Sequence, residues 1–379
     1  MKRVLIACQS TIPHYRVPFY NTLERIRPDA WRFDVVFDPS EAQSRRFFKE
    51  PVDLASFAFP ILETRTLSMR ALSKRVSYQT FWLKAAQYDL VIVGSALSNL
   101  TYPLCQLWQV TKTRFAHWGH GQDRSADRLS LPKSVMERFR ILLARRTDGF
   151  FAYTPGVKSY LVDQGLSPRT IFVLNNTIDI EEQRLAYERW RPKREAIRKD
   201  LGVQGKKVLL FVGRFTPNKR IGFLLESFSI LRQADPSFHL VLVGSGGQAY
   251  LGGDTGGITY FGPIVELSEL APIYVASDLF TFPGSVGLGP LQALCYDLPV
   301  ITVDSLTHMP EIEYLGPANS ILLEVSTTPE QYAQAIANLF AEPGRLDSLK
   351  SSIWPSIRHL TIDQMARNFV QGVNTILAV

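Results

Sequence analysis

Short apolar runs recur along the chain, and segments whose pattern suits a helix separate them. Such runs are typical of strands buried on both faces of a sheet. They predict strands at 3–8, 33–37, 58–62, 89–94, 113–118, 149–153 and 170–174 in the first half, and at 207–212, 239–244, 258–261, 278–282, 299–303 and 320–324 in the second. The alternation predicts an α/β protein with two parallel sheets, each covered by helices.

The length of the chain predicts more than one domain. Its 379 residues exceed the size, about 250 to 300 residues, at which a single core stops growing. Residues 181–200 are highly charged, which suits a domain junction. We predict an N-terminal domain over 1–182, a C-terminal domain over 183–354, and a final segment, 355–379, containing one amphipathic helix from Pro355 to Leu377.

Composition indicates an ordinary folded protein, with 46% hydrophobic and 20% charged residues. No apolar run approaches the roughly 20 residues that a membrane span needs. The first residues lead directly into a strand without a cleavage site, so we expect no signal peptide and a cytoplasmic protein. Cys8, Cys105 and Cys295 are widely spaced in apolar context and predict buried thiols, neither disulfides nor a metal site.

Positive charge is concentrated in the first half. Residues 1–180 contain 25 Lys and Arg against 15 Asp and Glu, whereas the rest contains 17 against 20. This indicates an anionic partner, either a membrane surface or a phosphorylated acceptor, because no nucleic-acid recognition motif accompanies the charge. As a helix, residues 65–84 would be basic on one side and apolar on the other. Such a helix either lies at a membrane interface or covers the sheet with a solvated basic face.

The segment from Asp278 to Thr302 predicts an anion-binding loop. An apolar strand leads into a Pro-Gly turn, a small-residue loop over 284–289, and a helix that we expect to begin at Pro290. Glycines let backbone amides approach a ligand, and the start of a helix favours negative charge. The expected ligand is a phosphate, held by the amides of the loop.

Cations follow an earlier strand of the same half. The run 208–212 ends at Gly213 and Arg214, and Lys219 follows a turn. Open α/β sheets bind ligands at the carboxyl ends of strands, and Arg can hold a diphosphate with two hydrogen bonds. The alternative is a solvated turn with ordinary surface cations.

These motifs carry a resemblance to a known family. The patterns G-R-x-x-x-x-K, P-G-x-V-G-L and A-L-x-x-x-x-P-V-I resemble those of the retaining nucleotide-sugar glycosyltransferases of group 1 (family 4), which have the GT-B fold. HYRVPFYNTL near the start, WGHG at 118–121, AYT at 152–154, NNTID at 175–179 and TIDQMARNF at 361–369 agree in order. The resemblance implies two Rossmann-like domains with parallel sheets facing a cleft, and a final helix that crosses back to the first domain.

The resemblance also implies roles for residues. The diphosphate would be held by Gly213, Arg214, Lys219, Ser285, Val286, Gly287 and Leu288, and the base by Gly262, Pro263 and Ile264. From the N-terminal domain, His120 would face the donor sugar, with His117 as a competing candidate; His14 would meet the acceptor and Arg16 a phosphate. We interpret His308 and Glu311 as part of a helix start.

The chain departs from the family at two positions. The family carries two glutamates eight positions apart across the glycine loop, and the matching residues here are Gly284 and Gln292. Gln292 can still hydrogen-bond a ribose hydroxyl. Gly284 has no side chain with which to contact the sugar.

The expected function is transfer of a hexosyl-type sugar from a nucleotide diphospho-sugar to a glycan or lipid-linked acceptor, with retention, in polysaccharide or glycoconjugate biosynthesis. Arg214, Lys219 and the loop amides would neutralise the leaving diphosphate, so we expect no metal and no cofactor besides the donor substrate. Two alternatives stay open: an inactive nucleotide-sugar or glycan binder within a synthase complex, and a sugar-nucleotide epimerase. We expect no nucleic-acid partner; an anionic membrane surface, at the inner membrane face, is a further candidate partner.

Overall fold

A computed structural model describes residues 1–8, 11–40, 56–71, 74–108, 113–122, 131–247, 250 and 256–379. The chain divides into two compact units. The first contains Met1–Asn176 together with Ile362–Val379, and the second contains Thr177–Thr361. The sequence placed the corresponding boundaries after residues 182 and 354.

The strands lie close to their predicted positions. In the first unit they are β1 Lys2–Ala7, β2 Trp31–Phe37, β3 Ile61–Glu63, β4 Thr66–Ala71, β5 Lys74–Gln79, β6 Leu90–Gly94, β7 Arg114–Gly119, β8 Gly149–Ala152 and β9 Ile171–Val173. In the second unit they are β10 Lys207–Val212, β11 Phe238–Val243, β12 Ile258–Tyr260, β13 Leu279–Thr281, β14 Val300–Val303 and β15 Ser320–Leu323. Except for β4 and β5, each matches an apolar run of the sequence.

The helices of the described residues connect these strands. They are α1 Val17–Ile26, α2 Trp82–Ala85, α3 Thr101–Trp108, α4 Leu131–Ala144, α5 Pro155–Asp163, α6 Ile180–Trp190, α7 Arg194–Asp200, α8 Ile221–Ala234, α9 Leu267–Ala276, α10 Leu288–Leu294, α11 Pro329–Ala341, α12 Arg345–Ile357 and α13 Ile362–Leu377. Short 3-10 helices occur at His14–Arg16, Pro168–Thr170, Arg191–Lys193, Pro217–Lys219 and Pro310–Tyr314. No helix among the described residues is both long enough and apolar enough to cross a membrane.

Each unit contains a parallel sheet, as predicted. The first has the order β3-β2-β1-β6-β7-β8-β9, and the second has the order β12-β11-β10-β13-β14-β15. All five residues of β6 are buried, which explains why an unbroken apolar run encodes it. In the second sheet the chain starts in the middle, builds outward to β12 and then returns to the other side of β10. The order therefore reverses between β10 and β13, and doubly wound sheets bind ligands at such a point.

The predicted helix over 65–84 is wrong. Strands β4 and β5 pair antiparallel as a hairpin, with Leu67 opposite Tyr78 and Met69 opposite Val76, and only the short α2 follows. The apolar residues at these four positions alternate with polar ones on each strand, and that period of two places them on one face of a hairpin.

The predicted single helix from Pro355 to Leu377 is also wrong. Pro355 lies near the end of α12, and α13 begins at Ile362 after a turn. Within that turn, the Leu360 amide donates to the Ile357 carbonyl at 2.8 Å, and the Leu360 carbonyl accepts from Thr177 Oγ1 at 2.6 Å. These contacts hold the turn inside the second unit, and α13 belongs to the first.

Helix α13 completes the core of the first unit. Phe369 is fully buried, with its ring stacked 4.6 Å from that of Phe151 and edge-on to Phe19 at 5.6 Å. Trp31, also fully buried, donates from Nε1 to Asn374 Oδ1 at 2.8 Å. The amphipathic pattern near the end of the chain is therefore explained by burial against β8, β9 and α1.

The three cysteines are free thiols. Burial raises the pKa of Cys105 to about 12 and raises the pKa of Cys8 and Cys295 still further. High thiol pKa values leave little nucleophilic thiolate at neutral pH.

Candidate functional site

The candidate site of the second unit lies at the carboxyl ends of β10 and β13, on either side of the point where the strand order reverses. After β10 the chain passes Gly213 and Arg214 and enters the 3-10 helix Pro217–Lys219. After β13 it forms the loop 282–287, which leads into α10. The topology thus brings together the two segments that the sequence analysis singled out separately.

Direct hydrogen bonds join these two segments. The Ser285 amide donates to the Asn218 carbonyl at 2.8 Å, and Lys219 Nζ donates to the Ser285 carbonyl. Lys219 Nζ also lies 4.8 Å from the centre of the Phe282 ring. The lysine is therefore held against the loop that follows β13 and does not extend freely into solvent.

The environment of Lys219 lowers its pKa to about 8. Burial is the main cause, since removal from water disfavours the charged ammonium, and the nearby positive charge of Arg214 adds to it. Arg214 itself is exposed. The two cations therefore form one electropositive region, where an anionic ligand would favour protonation of Lys219.

Gly284 lies against the backbone of the 3-10 helix. A Cβ atom at this position would stand 2.5 Å from Lys219 Cα and would also overlap the Asn218 carbonyl oxygen. Real Cβ atoms essentially never approach so closely. A glutamate thus cannot occupy this position without displacing the loop or the helix, so packing explains why a glycine stands here.

Two of the predicted phosphate-binding amides have intramolecular partners. The Ser285 amide bonds to Asn218, as described, and the Val286 amide donates to His308 Nδ1 at 2.9 Å. Both residues are buried. The prediction that these two amides face a ligand is therefore wrong in this conformation, because their hydrogens are used to hold the loop in place.

The sequence predicted only a helix start at His308 and missed its contact with the loop. The histidine is buried, accepts from Val286 and donates from Nε2 to the Val303 carbonyl at 3.0 Å. This pair of contacts requires the neutral Nε2–H tautomer. Its neighbour Glu311 is buried in the first turn of the 3-10 helix Pro310–Tyr314, at the predicted helix start. The sequence could not indicate the His308 contact, because Val286 is remote along the chain.

The accessible part of the loop is its last turn. Gly287, Leu288 and Gly289 are partly exposed, unlike Ser285 and Val286. Helix α10 begins at Leu288, two residues before the predicted start at Pro290. The first amides of a helix have no acceptor within the helix. Those of Leu288 and Gly289 therefore remain for a ligand, next to the amide of Gly287.

Gln292 lies one turn further along α10 and is partly buried. Its Nε2 donates to Gln183 Oε1 at 3.2 Å, and the Tyr296 hydroxyl donates to the same oxygen at 3.0 Å. This fixes the amide orientation and leaves Gln292 Oε1 as the atom suited to accept from a ribose hydroxyl. The ribose contact itself stays a prediction.

The expected base-binding turn is formed by Gly262, Pro263 and Ile264 after β12. Gly262 has φ +71°, a conformation that favours glycine. Its carbonyl accepts from the Gly244 amide at 2.7 Å, which ties this turn to the end of β11. Pro263 is exposed and Ile264 partly so.

In the first unit, His120 directly follows β7 and His117 lies within it. His120 is partly exposed, with its ring edge-on to Tyr153 at 4.6 Å. His117 is buried and donates from Nε2 to Gln106 Oε1 at 3.2 Å. Burial, together with the positive charge of Arg140, lowers the pKa of His117 to about 4. His117 is therefore a neutral histidine of the core, and His120 remains the candidate that a ligand can reach.

The predicted phosphate contact of Arg16 does not agree with its position. The side chain is 4% exposed, and its guanidinium donates to Asn176 Oδ1 at 2.7 Å while lying 5.4 Å from the Trp118 ring centre. It also approaches Met365 Sδ of α13 at 3.6 Å. Arg16 thus holds β9, β7 and α13 together, whereas the neighbouring His14 is exposed.

No group of three or more His, Cys, Asp or Glu side chains among the described residues is arranged to hold a metal ion. The chemical groups that converge at the site of the second unit are therefore cations, amides and one carboxamide. Such a set matches a phosphate with an attached polar group.

Comparison with known proteins is consistent with this chemistry. Residues 206–342 match the family model described as Glycosyl transferases group 1. The match covers less than half of the chain, but it includes Arg214, Lys219, the loop after β13 and His308.

Two curated relatives share part of the sequence. The chain is 30% identical over 198 residues to D-inositol 3-phosphate glycosyltransferase of Rhodococcus jostii, covering 46% of this chain and 42% of that protein. It is 27% identical over 186 residues to an uncharacterized 41.2 kDa protein in the cps region of Klebsiella pneumoniae, covering 48% and 49%. The matched segments thus span less than half the length of each relative.

Solved structures resemble the chain over its full length. The crystal structure of Anabaena HepE in complex with UDP has a TM-score of 0.70 at 14% identity, covering 98% of this chain and 99% of that one. Sucrose-phosphate synthase of Thermosynechococcus elongatus has a TM-score of 0.67 at 15% identity, covering both chains completely. The protein therefore has the GT-B fold, with two Rossmann-like units, as predicted.

Proposed function

We propose that this protein is a glycosyltransferase that moves a sugar from a nucleotide diphospho-sugar to an acceptor hydroxyl. The observation that carries the proposal is the contact between Lys219 and the Ser285 carbonyl, which places a cation beside the accessible amides of Gly287 and Leu288. The group 1 glycosyltransferase match over 206–342 supports the same conclusion. The UDP complex of HepE shows that a protein of this fold binds a nucleoside diphosphate.

The residues of the second unit suit the departure of a nucleoside diphosphate. Negative charge develops on the β-phosphate as the glycosidic bond breaks. Arg214, Lys219 and the amides at the start of α10 would stabilise that charge, because donors that are already oriented need not reorganise during the reaction. Gln292 Oε1 would accept from the ribose, and the turn at Gly262 would hold the base.

Retention at the anomeric carbon is part of the proposal and rests on the resemblance to the retaining group 1 enzymes. The positions that match the family motifs offer no obvious nucleophile. The acceptor would therefore attack from the same face as the leaving group, whose phosphate helps to deprotonate it. The anomeric configuration of the product, determined by NMR, tests this point, and an inverted product would refute retention.

Metal independence is proposed on the same electrostatic argument. Two cations and helix-end amides supply the positive charge that a divalent ion would otherwise provide at the diphosphate. Transfer is expected to continue in the presence of EDTA. Complete loss of turnover in the chelator, restored by Mg²⁺ or Mn²⁺, would contradict this proposal.

Two other functions predict different outcomes in one experiment. The purified protein is incubated with a panel of UDP, GDP and ADP sugars, with and without oligosaccharide and lipid-linked acceptors, and the products are analysed. A transferase releases nucleoside diphosphate and does so faster with an acceptor. A sugar-nucleotide epimerase changes the sugar of the donor itself; an inactive binder gives neither product while calorimetry still detects the nucleotide. Either result would replace the proposed function.

A further inference from the structure

Two neighbouring helices of the first unit turn apolar stripes toward solvent. Leu100, directly before α3, lies in line with Leu104 and Leu107, and α4 carries Val135, Phe139 and Leu142 at the same spacing. All six side chains are between 39% and 64% exposed. Spacings of three and four residues place each triplet on one face of its helix.

The opposite faces of these helices already contact the core. The buried residues of α3 include Thr101, Tyr102 and Cys105, and those of α4 include Arg140, Ile141, Leu143 and Ala144. A surface helix normally has one apolar stripe, and that stripe faces the core. The second stripe on each helix therefore needs an explanation other than packing of the sheet.

The helices and the hairpin β4–β5 adjoin one another. Gln106 Nε2 of α3 donates to the Leu143 carbonyl of α4 at 2.7 Å. At the start of α3, the Leu100 amide donates to the Ser77 carbonyl of β5 at 2.9 Å. On the hairpin, Leu67 and Met69 are exposed as well. We call the six stripe residues of α3 and α4 the apolar surface.

Positive charge surrounds the apolar surface. Residues 65–84, which include the hairpin, contain five Lys or Arg and no Asp or Glu. Residues 98–108, which include α3, contain no charged residue. Residues 131–146, which include α4, contain five Lys or Arg and a single acid, Glu137. That acid bonds to Arg140. Among these cations, those whose side chains the structure describes as exposed are Arg65, Lys84, Arg138, Arg145 and Arg146.

We propose that the apolar surface docks on a membrane that contains anionic lipid. Leu, Phe and Val side chains would enter the interface between headgroups and acyl chains, while the surrounding cations bind the anionic headgroups. A second copy of the chain fits less well, because a two-fold contact through this surface would place identical basic segments against each other. The proposal is independent of the proposed transferase activity.

Vesicle flotation without any sugar donor tests the proposal. The protein should float with vesicles of phosphatidylcholine and phosphatidylglycerol, and not with phosphatidylcholine alone, and high salt should weaken binding. Replacing two stripe residues, Leu104→Ser with Phe139→Ser, should reduce binding at least about tenfold through lost apolar burial. Arg138→Gln with Arg146→Gln should reduce it about tenfold or more.

The matched control changes two exposed apolar residues of the second unit, Leu322→Ser with Val325→Ser, which should leave binding unchanged. Because all these side chains are exposed, the variants should fold like the unchanged protein, and circular dichroism checks this. Absence of binding to either vesicle, or equal binding to both, overturns the proposal. A concentration-dependent dimer that is abolished by the Leu104 and Phe139 changes also overturns the proposal, because a second copy of the chain would then cover the apolar surface.

Discussion

Gly284 packs directly on the backbone at Lys219, with no room between them for a side chain. Replacing Gly284 with Ala should therefore destabilise the protein by about 1–3 kcal/mol or more, since backbone atoms cannot move aside as a flexible side chain can. It should also weaken binding of a nucleoside diphosphate. The control is Gly222→Ala in α8, where a Cβ meets nothing within 4 Å. Chemical unfolding and calorimetry measure both effects.

The same contact makes a prediction about activity. Gly284→Glu introduces the glutamate that the resemblance implies for this position, yet it should lower the proposed transfer activity, because the new side chain must displace the loop or the 3-10 helix. Higher transfer activity in Gly284→Glu would show that the loop can move and that the absence of a carboxylate, not packing, limits the proposed transfer activity.

Arg214 and Lys219 should each contribute to binding of a nucleoside diphosphate. Arg214→Ala or Lys219→Ala removes a charge-assisted contact worth about 1.5–3 kcal/mol, or roughly tenfold to a hundredfold in affinity. Lys199→Ala, which removes an exposed cation of the same unit, is the control. Unchanged affinity in both the Arg214 and the Lys219 variant would refute the prediction that these two side chains bind the diphosphate.

The low pKa of Lys219 adds a pH dependence to this binding. The lysine is charged below its pKa of about 8 and neutral above it, so affinity should fall as the pH rises through that value. Arg214→Ala should move the fall to higher pH, because it removes a repulsive charge. In Lys219→Ala this fall should be absent from calorimetric titrations; a fall of the same size in that variant would assign it to another group.

His120 and Gln292 should affect different steps. His120→Ala is expected to cut turnover about a hundredfold or more, the scale of losing one well-placed transition-state donor, with little change in nucleotide affinity. Gln292→Ala should instead weaken nucleotide binding modestly, by about 0.5–1.5 kcal/mol for one neutral hydrogen bond. Kinetics measures the effect on turnover and calorimetry the effect on nucleotide affinity. Full activity in His120→Ala would show that His120 has only a structural role.

His308 should stabilise the loop without touching the nucleotide. His308→Ala leaves the buried Val286 amide and Val303 carbonyl without their partner, which costs about 1–3 kcal/mol per group. Nucleotide affinity should fall with it, since the amides at 287–289 are no longer held in position. His308→Asn, whose carboxamide can both accept and donate, should recover part of both losses. If both variants lose stability and nucleotide affinity equally, the size of the His308 side chain, and not its hydrogen bonds, holds the loop in position.

His117 should make the protein less stable in mild acid. Its pKa is about 4 when folded and near the usual 6.5 when unfolded, so between these values only the unfolded state binds the proton. The free energy of unfolding should therefore fall as the pH drops through this range, by up to about 3 kcal/mol in total. Urea unfolding of His117→Gln should show a smaller loss; His359→Gln, at an exposed histidine, should behave like the unchanged protein.

Parallel strands were predictable because each is a local pattern. A strand such as β10, buried on both faces, must be a short apolar run, and its position can be read without knowing its neighbours. The segment that forms the hairpin β4–β5 was predicted as a helix because its cations suited a helix with one basic side. The alternation of apolar and polar residues at Leu67 and Met69 already indicated a strand. For this segment the helical period was the wrong choice, and the period of two that indicates a strand was present in the sequence.

Side-chain partners at the site could not be read in the same way. The role of Arg16 depends on Asn176 and Met365, which are far away along the chain. The Val286 amide is occupied because it donates to His308. A side chain is excluded at Gly284 because the backbone of Lys219, more than sixty residues earlier, packs against it. These contacts arise only when the strand order brings separate loop ends together.

Helix α13 has a consequence for the order in which the chain folds during synthesis. Phe369 and the rest of α13 supply part of the first unit's core, but the ribosome makes them only after the whole second unit. The growing chain must therefore carry an unfinished first unit, with the faces of Phe19 and Phe151 uncovered, while residues 177–361 emerge and fold. We therefore expect the second unit to be able to reach its native state before the first unit, whose core is complete only once α13 has emerged.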